Sequence, residues 1–209
     1  LLEQGPEEYS EACALVHQFY AISRGKSPAV WGDKNNYYIS TPKRILEVFP
    51  NAKFIFLIRD PRDVFSSYLD LTALKTNSKY APNLTISVDE FAEEWNQNLK
   101  NIVYLTQVID ATSYQFVRYE DVICNPHETM QKVFDLVGLN MEPYVLEPRG
   151  DACDFEREPA ETLDWKKLTQ KAPDKSRVGR YRGALSQDQI LSLHRGCRDG
   201  MMRFNYRTV

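Results

Sequence analysis

Residues 54–68 read FIFLIRDPRDVFSSY, and this segment carries the strongest fold signal in the chain. Its first five residues are apolar and mostly β-branched or aromatic, which predicts a strand buried on both faces of a parallel sheet. The strand is expected to stop at Arg59, because Asp60 is a good N-cap and Pro61 suits the first position of a helix. The segment therefore predicts a strand, a tight turn and a helix.

The guanidinium at this turn indicates an anion site. Ligands of open α/β sheets bind at the carboxyl ends of the strands, and a helix N-terminus is ready to hold a negative charge. Arg59 offers a rigid fork of donors for a phosphate, and Ser67 adds a hydroxyl further along the helix. The alternative interpretation is that Arg59 only caps the strand and pairs with Asp60 or with Asp63, which also assists the helix start.

The rest of the chain alternates between helical patterns and short apolar segments. The predicted elements are a helix over residues 8–21, a strand over 29–31, helices over 41–49 and 88–109, a strand over 114–117, a helix over 125–138 and a last helix from 186 to about 202. The strand–helix–strand order favours parallel neighbours joined by right-handed crossovers. We therefore expect one α/β domain over residues 1–209, with a three-layer parallel sheet flanked by helices.

The composition narrows the classes of protein. Apolar residues make up 43% and aromatic residues 12% of the chain, as in soluble globular domains. The net charge of −3 does not suggest binding to a nucleic-acid polymer. No apolar run approaches the ~20 residues of a membrane span. Cys13, Cys124, Cys153 and Cys197 have no metal-ligand spacing, so we expect ordinary thiols and no metal site.

The turn sequence resembles the 3′-phosphate-binding motif of the sulfotransferase family. That motif is a strand ending in Arg-Asp-Pro-Arg-Asp, with a Ser eight residues after the first Arg, and the matching residues here are Arg59 and Ser67. The resemblance implies that both residues bind the 3′-phosphate of 3′-phosphoadenosine 5′-phosphosulfate (PAPS), the co-substrate of that family. It also implies a fold similar to P-loop nucleotide-binding domains.

Three further segments resemble elements of the same family. The sequence GDK at residues 32–34 implies that Lys34 lies near the 5′-phosphosulfate and stabilises charge on the leaving phosphate, whereas Asp33 orients Lys34, stays solvated or acts as a base. Tyr119 corresponds to a residue of the adenine pocket. The basic segment 176–181 resembles a loop that closes over the 3′-phosphate, with Arg177 and Gly179 as candidate nucleotide contacts. The alternative for residues 32–34 is a charged surface turn, that for Tyr119 is an aromatic of the core or rim, and that for residues 176–181 is a solvated basic run.

The resemblance thus implies a sulfotransferase that moves a sulfuryl group from PAPS to a hydroxyl or amine of a small-molecule, carbohydrate or peptide acceptor. The alternatives are a kinase-like P-loop phosphotransferase and a non-catalytic nucleotide-binding domain. The N-terminal strand and the Gly-x-x-Arg-Ser-Gly-Thr-like loop of the family have no match here. Either the sequence begins downstream of that loop or the protein lacks it, and we expect the domain over residues 1–209 to be without both elements. The acceptor pocket is expected in the loops 75–86 and 147–168. We expect a cytoplasmic location, or the Golgi lumen if an anchor precedes the chain.

Overall fold

The computed structural model describes residues 8–74, 82–142, 146 and 174–207. In these residues the strands are β1 (Phe54–Ile58) and β2 (Tyr114–Arg118), and the α-helices are α1 (Tyr9–Ile22), α2 (Pro42–Val48), α3 (Pro61–Ala73), α4 (Val88–Val108), α5 (Tyr119–Cys124), α6 (Pro126–Val137), α7 (Tyr181–Ala184), α8 (Gln187–Gly196) and α9 (Arg198–Arg203). Short 3-10 helices cover Asn36–Ser40, Ala111–Ser113 and Lys175–Arg177. Cys153 and most of the two loops expected at the acceptor pocket lie outside the described residues.

The fold is α/β, with a parallel sheet flanked by helices, as the sequence predicts. In the described residues β1 pairs with β2. Side chains alternate along β1: Phe56 and Ile58 are buried, whereas Ile55 and Leu57 are 47% and 61% exposed. The expectation that β1 is buried on both faces is therefore wrong. Successive side chains of a strand point to opposite faces, and the described residues bury the face of β1 that carries Phe56 and Ile58.

The strand predicted over residues 29–31 does not form, and this segment has no regular structure. Trp31 instead stacks on His17, with the ring centroids 4.4 Å apart, and meets Phe49 edge-on. The largest side chain of this short apolar run therefore gains aromatic contacts without joining a sheet. The flanking helices α1 and α2 form within one residue of their predicted bounds.

The chain forms two compact units: Leu1–Phe54 with Asn101–Tyr114, and Ile55–Lys100 with Gln115–Val209. In the first unit the Asn101 amide donates to the carbonyl of Ile39 over 2.8 Å, which joins α4 to the 3-10 helix before α2. The single domain expected from the sequence stays a prediction. Within the described ranges, no helix combines the length and apolarity that a bilayer span requires.

Aromatic side chains form much of the core of the second unit. Phe65 of α3 is fully buried and packs against Phe91 of α4, with ring centroids 5.3 Å apart. Phe116 of β2 contacts both Phe56 and Phe204, at centroid distances of 5.5 and 5.2 Å. The sheet is therefore joined to the residue that follows α9.

The last helix predicted from the sequence is two helices in the structure. Ser186 forms a capping box with Gln189, which confirms the predicted helix start. However, α8 ends at Gly196 and α9 begins only after Cys197, whose side chain is fully buried. The prediction of one helix reaching residue 202 is wrong, because the helical backbone is interrupted at this buried residue.

Two glycines allow α8 and α9 to lie close against α4. A Cβ at Gly196 would lie 2.8 Å from the Cβ of Ala92. A Cβ at Gly200 would overlap the ring of Trp95 and lie 2.5 Å from a methyl group of Leu99. The chain therefore uses glycine here for close packing, since any larger residue must displace α4 side chains.

Candidate functional site

Arg59 is the residue on which the predicted motifs of the second unit converge. It follows β1 directly, and its side chain is partly buried. Its Nη1 lies 3.5 Å from the Oγ of Ser67, and its Nη2 donates to the carbonyl of Arg177 over 3.2 Å. Its guanidinium carbon lies 4.4 Å from the centroid of the Tyr119 ring. The structure thus brings these four predicted site residues together.

The carboxylates beside Arg59 are occupied by other groups. Asp60 accepts the backbone N–H of Arg62 at 3.0 Å and forms a two-pronged pair with its guanidinium, at 2.9 and 2.7 Å. Asp63 accepts two backbone amides from a distant loop. The alternative that Arg59 pairs with one of these aspartates is therefore wrong. The Nε of Arg59 is buried and has no hydrogen-bond partner among the described residues.

Ser67 lies in α3 with its hydroxyl beside Arg59. Its Oγ donates to the carbonyl of Asp63 over 3.0 Å, one turn earlier in the helix. A hydroxyl hydrogen rotates at little cost, so Ser67 can turn this donor toward an anion held by Arg59. The eight-residue spacing of the motif therefore places a fork of N–H groups and one O–H on the same side of the turn.

Residues 177–181, here called the late loop, are held against the start of α3. The Asp63 side chain is 1% exposed and accepts the N–H of Gly179 at 2.7 Å and of Tyr181 at 2.9 Å. Gly179 has a φ of 75°, a left-handed conformation that favours glycine. Its N–H is already donated to Asp63, and contact between Gly179 and a nucleotide stays a prediction.

The arginines of the late loop and its flank have different surroundings. Arg180 forms a 2.6 Å ion pair with Asp70, and Arg182 lies over the ring of Tyr181 at 4.8 Å. Arg177 enters the site through its carbonyl, which accepts from Arg59. A nucleotide contact from the Arg177 side chain stays a prediction.

A buried carboxylate connects the ends of both strands. Tyr119 begins α5 immediately after β2, and its neighbour Glu120 accepts the backbone N–H of Asp60 and the hydroxyl of Tyr206, both at 3.0 Å. Burial and the nearby charge of Glu120 raise the pKa of Tyr206, so its hydroxyl stays protonated and donates. These bonds fix the turn that carries Arg59 relative to the ring of Tyr119.

Arg62 stabilises the same turn through its buried ion pair with Asp60. Its guanidinium is 2% exposed and lies 4.2 Å from the centroid of the Tyr181 ring. Burial opposes its charge, but the hydrogen bonds and charge of Asp60 outweigh burial and raise the pKa of Arg62. A buried cation paired in this way holds the α3 start and the late loop together.

Sequence reasoning missed the residues that position the site, above all Asp63, Glu120 and Tyr206. Asp63 is part of the motif, but its place in the first helical turn gave it a complete local explanation. Glu120 and Tyr206 are 86 positions apart. The available signal was that a compact run of charged residues, RDPRD, follows a strand, since carboxylates in such a place need partners from elsewhere in the fold.

Lys34 lies in the first unit, on an exposed segment before the 3-10 helix. Asp33 accepts the backbone N–H of Lys34 at 2.7 Å and the hydroxyl of Tyr38. These bonds, the one from Tyr38 first, lower the pKa of Asp33, so it is a poor base. The pKa of Tyr38 rises to about 12 for the same reason. The placement of Lys34 near a phosphosulfate stays a prediction.

Comparison with known proteins identifies similar sequences. A sequence profile described as "Sulfotransferase family" matches residues 4–143. An omega-hydroxy-beta-dihydromenaquinone-9 sulfotransferase of Mycobacterium tuberculosis is 28% identical over 108 residues, which are 51% of this chain and 28% of that protein. A protein-tyrosine sulfotransferase of Drosophila melanogaster is 25% identical over 113 residues, which are 51% of this chain and 22% of that protein. The matched part spans about a quarter of the length of these relatives.

Two solved structures have similar folds. The sulfotransferase domain from the curacin biosynthetic pathway matches 93% of this chain and 69% of its own, with a TM-score of 0.65 and 18% identity. The sulfotransferase domain from the Synechococcus PCC 7002 olefin synthase matches 86% of this chain and 63% of its own, with a TM-score of 0.57 and 23% identity. At these identities the likeness concerns the fold.

Proposed function

Since the chain belongs to the sulfotransferase family, we propose that it transfers a sulfuryl group from PAPS to a hydroxyl or amine of an acceptor. The observation that carries this proposal is the environment of Arg59. A hydroxyl, an aromatic ring and a loop carbonyl surround its guanidinium, and its buried Nε lacks a partner in the described part of the chain. A guanidinium beside a hydroxyl and an aromatic ring, at the N-terminal end of a helix, is suited to bind a phosphate.

The residues around Arg59 bind different parts of the nucleotide. Arg59 and Ser67 bind the 3′-phosphate, because they offer charged N–H donors and a rotatable O–H on one side of the turn. Tyr119 borders the adenine pocket with the ring that also stacks on Arg59. Arg177 adds the second positive charge, since Arg180 is already engaged in an ion pair. The Gly179 backbone lets the late loop approach the phosphate closely.

The reaction is an in-line displacement at sulfur. The acceptor oxygen or nitrogen forms a bond to sulfur while the bond from sulfur to the bridging phosphate oxygen breaks, and the acceptor proton passes to a base. Negative charge then develops on the departing 5′-phosphate, where the Lys34 ammonium stabilises it. Asp33 supports this role by fixing the backbone of Lys34 through its amide.

The acceptor belongs to the class of small molecules, carbohydrates or peptides. The relatives are named for a menaquinone derivative and for protein tyrosine, which are both hydroxyl-bearing acceptors. We place the enzyme in the cytoplasm, with the Golgi lumen as the alternative where an anchor precedes the chain. Transfer of labelled sulfuryl groups to a panel of phenols, sugars and tyrosine peptides tests the activity. Tight nucleotide binding without any transfer would indicate a non-catalytic nucleotide-binding domain.

Nucleotide selectivity is the sharpest test of the proposed site. Isothermal titration of the full chain compares 3′-phosphoadenosine 5′-phosphate with adenosine 5′-monophosphate, which lacks the 3′-phosphate. Charge-assisted hydrogen bonds contribute about 1.5–3 kcal/mol each, so the first nucleotide should bind at least about tenfold more tightly.

The variant Arg59→Ala should abolish this selectivity, whereas Arg198→Ala, which removes an exposed guanidinium from α9, should preserve it. Equal affinity of the wild type for both nucleotides, or unchanged selectivity in Arg59→Ala, would defeat the proposal.

A further inference from the structure

We propose that Asp63 is a positioning residue that sets the place of the late loop against the 3′-phosphate, an inference that rests on the proposed function. Its carboxylate is nearly inaccessible to solvent, and each oxygen accepts one backbone amide from the late loop. A buried carboxylate is stable only when its lone pairs are satisfied, so these two bonds fix the backbone at Gly179 and Tyr181. Asp63 therefore acts on the nucleotide through the late loop, since both of its carboxylate oxygens are bonded to loop amides.

The two bonds determine where the other end of the loop lies. With the amides at 179 and 181 bound, the carbonyl of Arg177 comes 3.2 Å from Nη2 of Arg59. The main chain of Asp63 meanwhile accepts the hydroxyl of Ser67. One residue therefore contacts both halves of the phosphate site: its side chain holds the loop, and its carbonyl holds the serine.

This geometry predicts a selective loss in Asp63→Asn. The carboxamide keeps the size of the side chain but has a single acceptor oxygen, so one loop amide faces an N–H group instead of an acceptor. The late loop should shift away from Arg59. Affinity for 3′-phosphoadenosine 5′-phosphate should then fall about tenfold, while affinity for adenosine 5′-monophosphate should change by less than about twofold.

Asp70→Asn is the matched control. Asp70 also lies on α3 and also contacts this part of the chain, but it does so through the side chain of Arg180 at a half-exposed site. The same chemical change there should leave the affinities for both nucleotides unaltered. A buried carboxylate with a purely structural role would instead lower the affinity for both nucleotides equally, together with thermal stability.

Amide exchange in the wild type gives a second readout that does not depend on a variant folding. The N–H groups of Gly179 and Tyr181 should exchange slowly in the NMR spectrum of the folded chain, and faster in Asp63→Asn. Rapid exchange of both amides in the wild type would overturn the inference, and so would unchanged nucleotide selectivity in Asp63→Asn. A wild type that does not distinguish the two nucleotides would instead refute the proposed function, while slow exchange would still show the late loop bound to Asp63.

Discussion

Ser66 and Ser67 are neighbours on α3, and their substitution by alanine should affect different properties: nucleotide binding for Ser67 and stability for Ser66. The Oγ of Ser67 faces Arg59 and bonds to the Asp63 carbonyl, whereas Ser66 is 2% exposed and its Oγ has no partner in the described residues. Ser67→Ala should weaken binding of 3′-phosphoadenosine 5′-phosphate with little change in stability. Ser66→Ala should raise stability and leave nucleotide binding unchanged.

The magnitudes follow from the contacts of each hydroxyl. A bond from Ser67 to a charged phosphate contributes about 1.5–3 kcal/mol, but the hydroxyl must first give up its bond to the Asp63 carbonyl, worth about 0.5–1.5 kcal/mol. The net loss of about 1–2 kcal/mol corresponds to roughly 5–30-fold weaker binding. Ser66→Ala removes an unpaired buried hydroxyl and gains helix propensity, which together should stabilise the chain by roughly 0.5–2 kcal/mol.

Two measurements on the same pair of variants decide the matter. Isothermal titration gives the affinity for the nucleotide, and urea denaturation followed by tryptophan fluorescence gives the free energy of unfolding. If Ser66→Ala weakened nucleotide binding while Ser67→Ala did not, Ser66 and not Ser67 would face the ligand, and the assignment of Ser67 to the phosphate site would be refuted. If Ser66→Ala lowered stability by more than about 1 kcal/mol, the hydroxyl would have a bonding partner and the reasoning would fail.

Three further predictions concern stability, titration and thiol reactivity. Gly200→Ala should lower the free energy of unfolding in urea by about 1–2 kcal/mol, because overpacking against α4 exceeds the gain in helix propensity. Gly183→Ala is the control: nothing lies within 4 Å of its new Cβ, so it should be neutral or stabilising. Equal effects of the two substitutions would contradict this. The pKa of Asp33, measured by NMR, should lie below 3.8, so the stability that its carboxylate contributes is present above that pH and is lost as the pH falls. Tyr38→Phe should raise this pKa, and an unchanged pKa would refute the hydrogen bond from Tyr38 to Asp33. Burial raises the pKa of the Cys197 thiol to about 12, so it should resist thiol reagents at pH 8 until the chain unfolds, and rapid labelling of the native chain would show otherwise.

The sequence predicted the parts of the site that lie on one short segment. The turn after β1, the helix that follows and the shared side of Arg59 and Ser67 all depend on contacts within eight residues, where local rules apply. Tyr119 was identified only through a resemblance, because its contact with Arg59 depends on the pairing of β1 with β2. The site on Lys34 stays a prediction.

Other features could not be predicted, since they depend on what packs against a segment. Five apolar residues in β1 did not reveal that Ile55 and Leu57 are exposed. The apolar pattern of the last helix continued across Cys197, and nothing local marked the break. Asp63 satisfied the rules for a helix start, yet its carboxylate accepts an amide 116 residues further along the chain. Long-range partners of polar groups are invisible to any periodicity.

Two long-range contacts determine when the site can form during synthesis of the chain. They are the bond between Glu120 and Tyr206 and the bonds between Asp63 and the late loop. A nascent chain releases Arg59 and Ser67 from the ribosome long before it releases Gly179, Tyr181 and Tyr206. Until then, the carboxylates of Asp63 and Glu120 lack donors that the finished protein supplies. Selective nucleotide binding is therefore expected only after Tyr206 has been synthesised, because the turn and the late loop are not held in place before then.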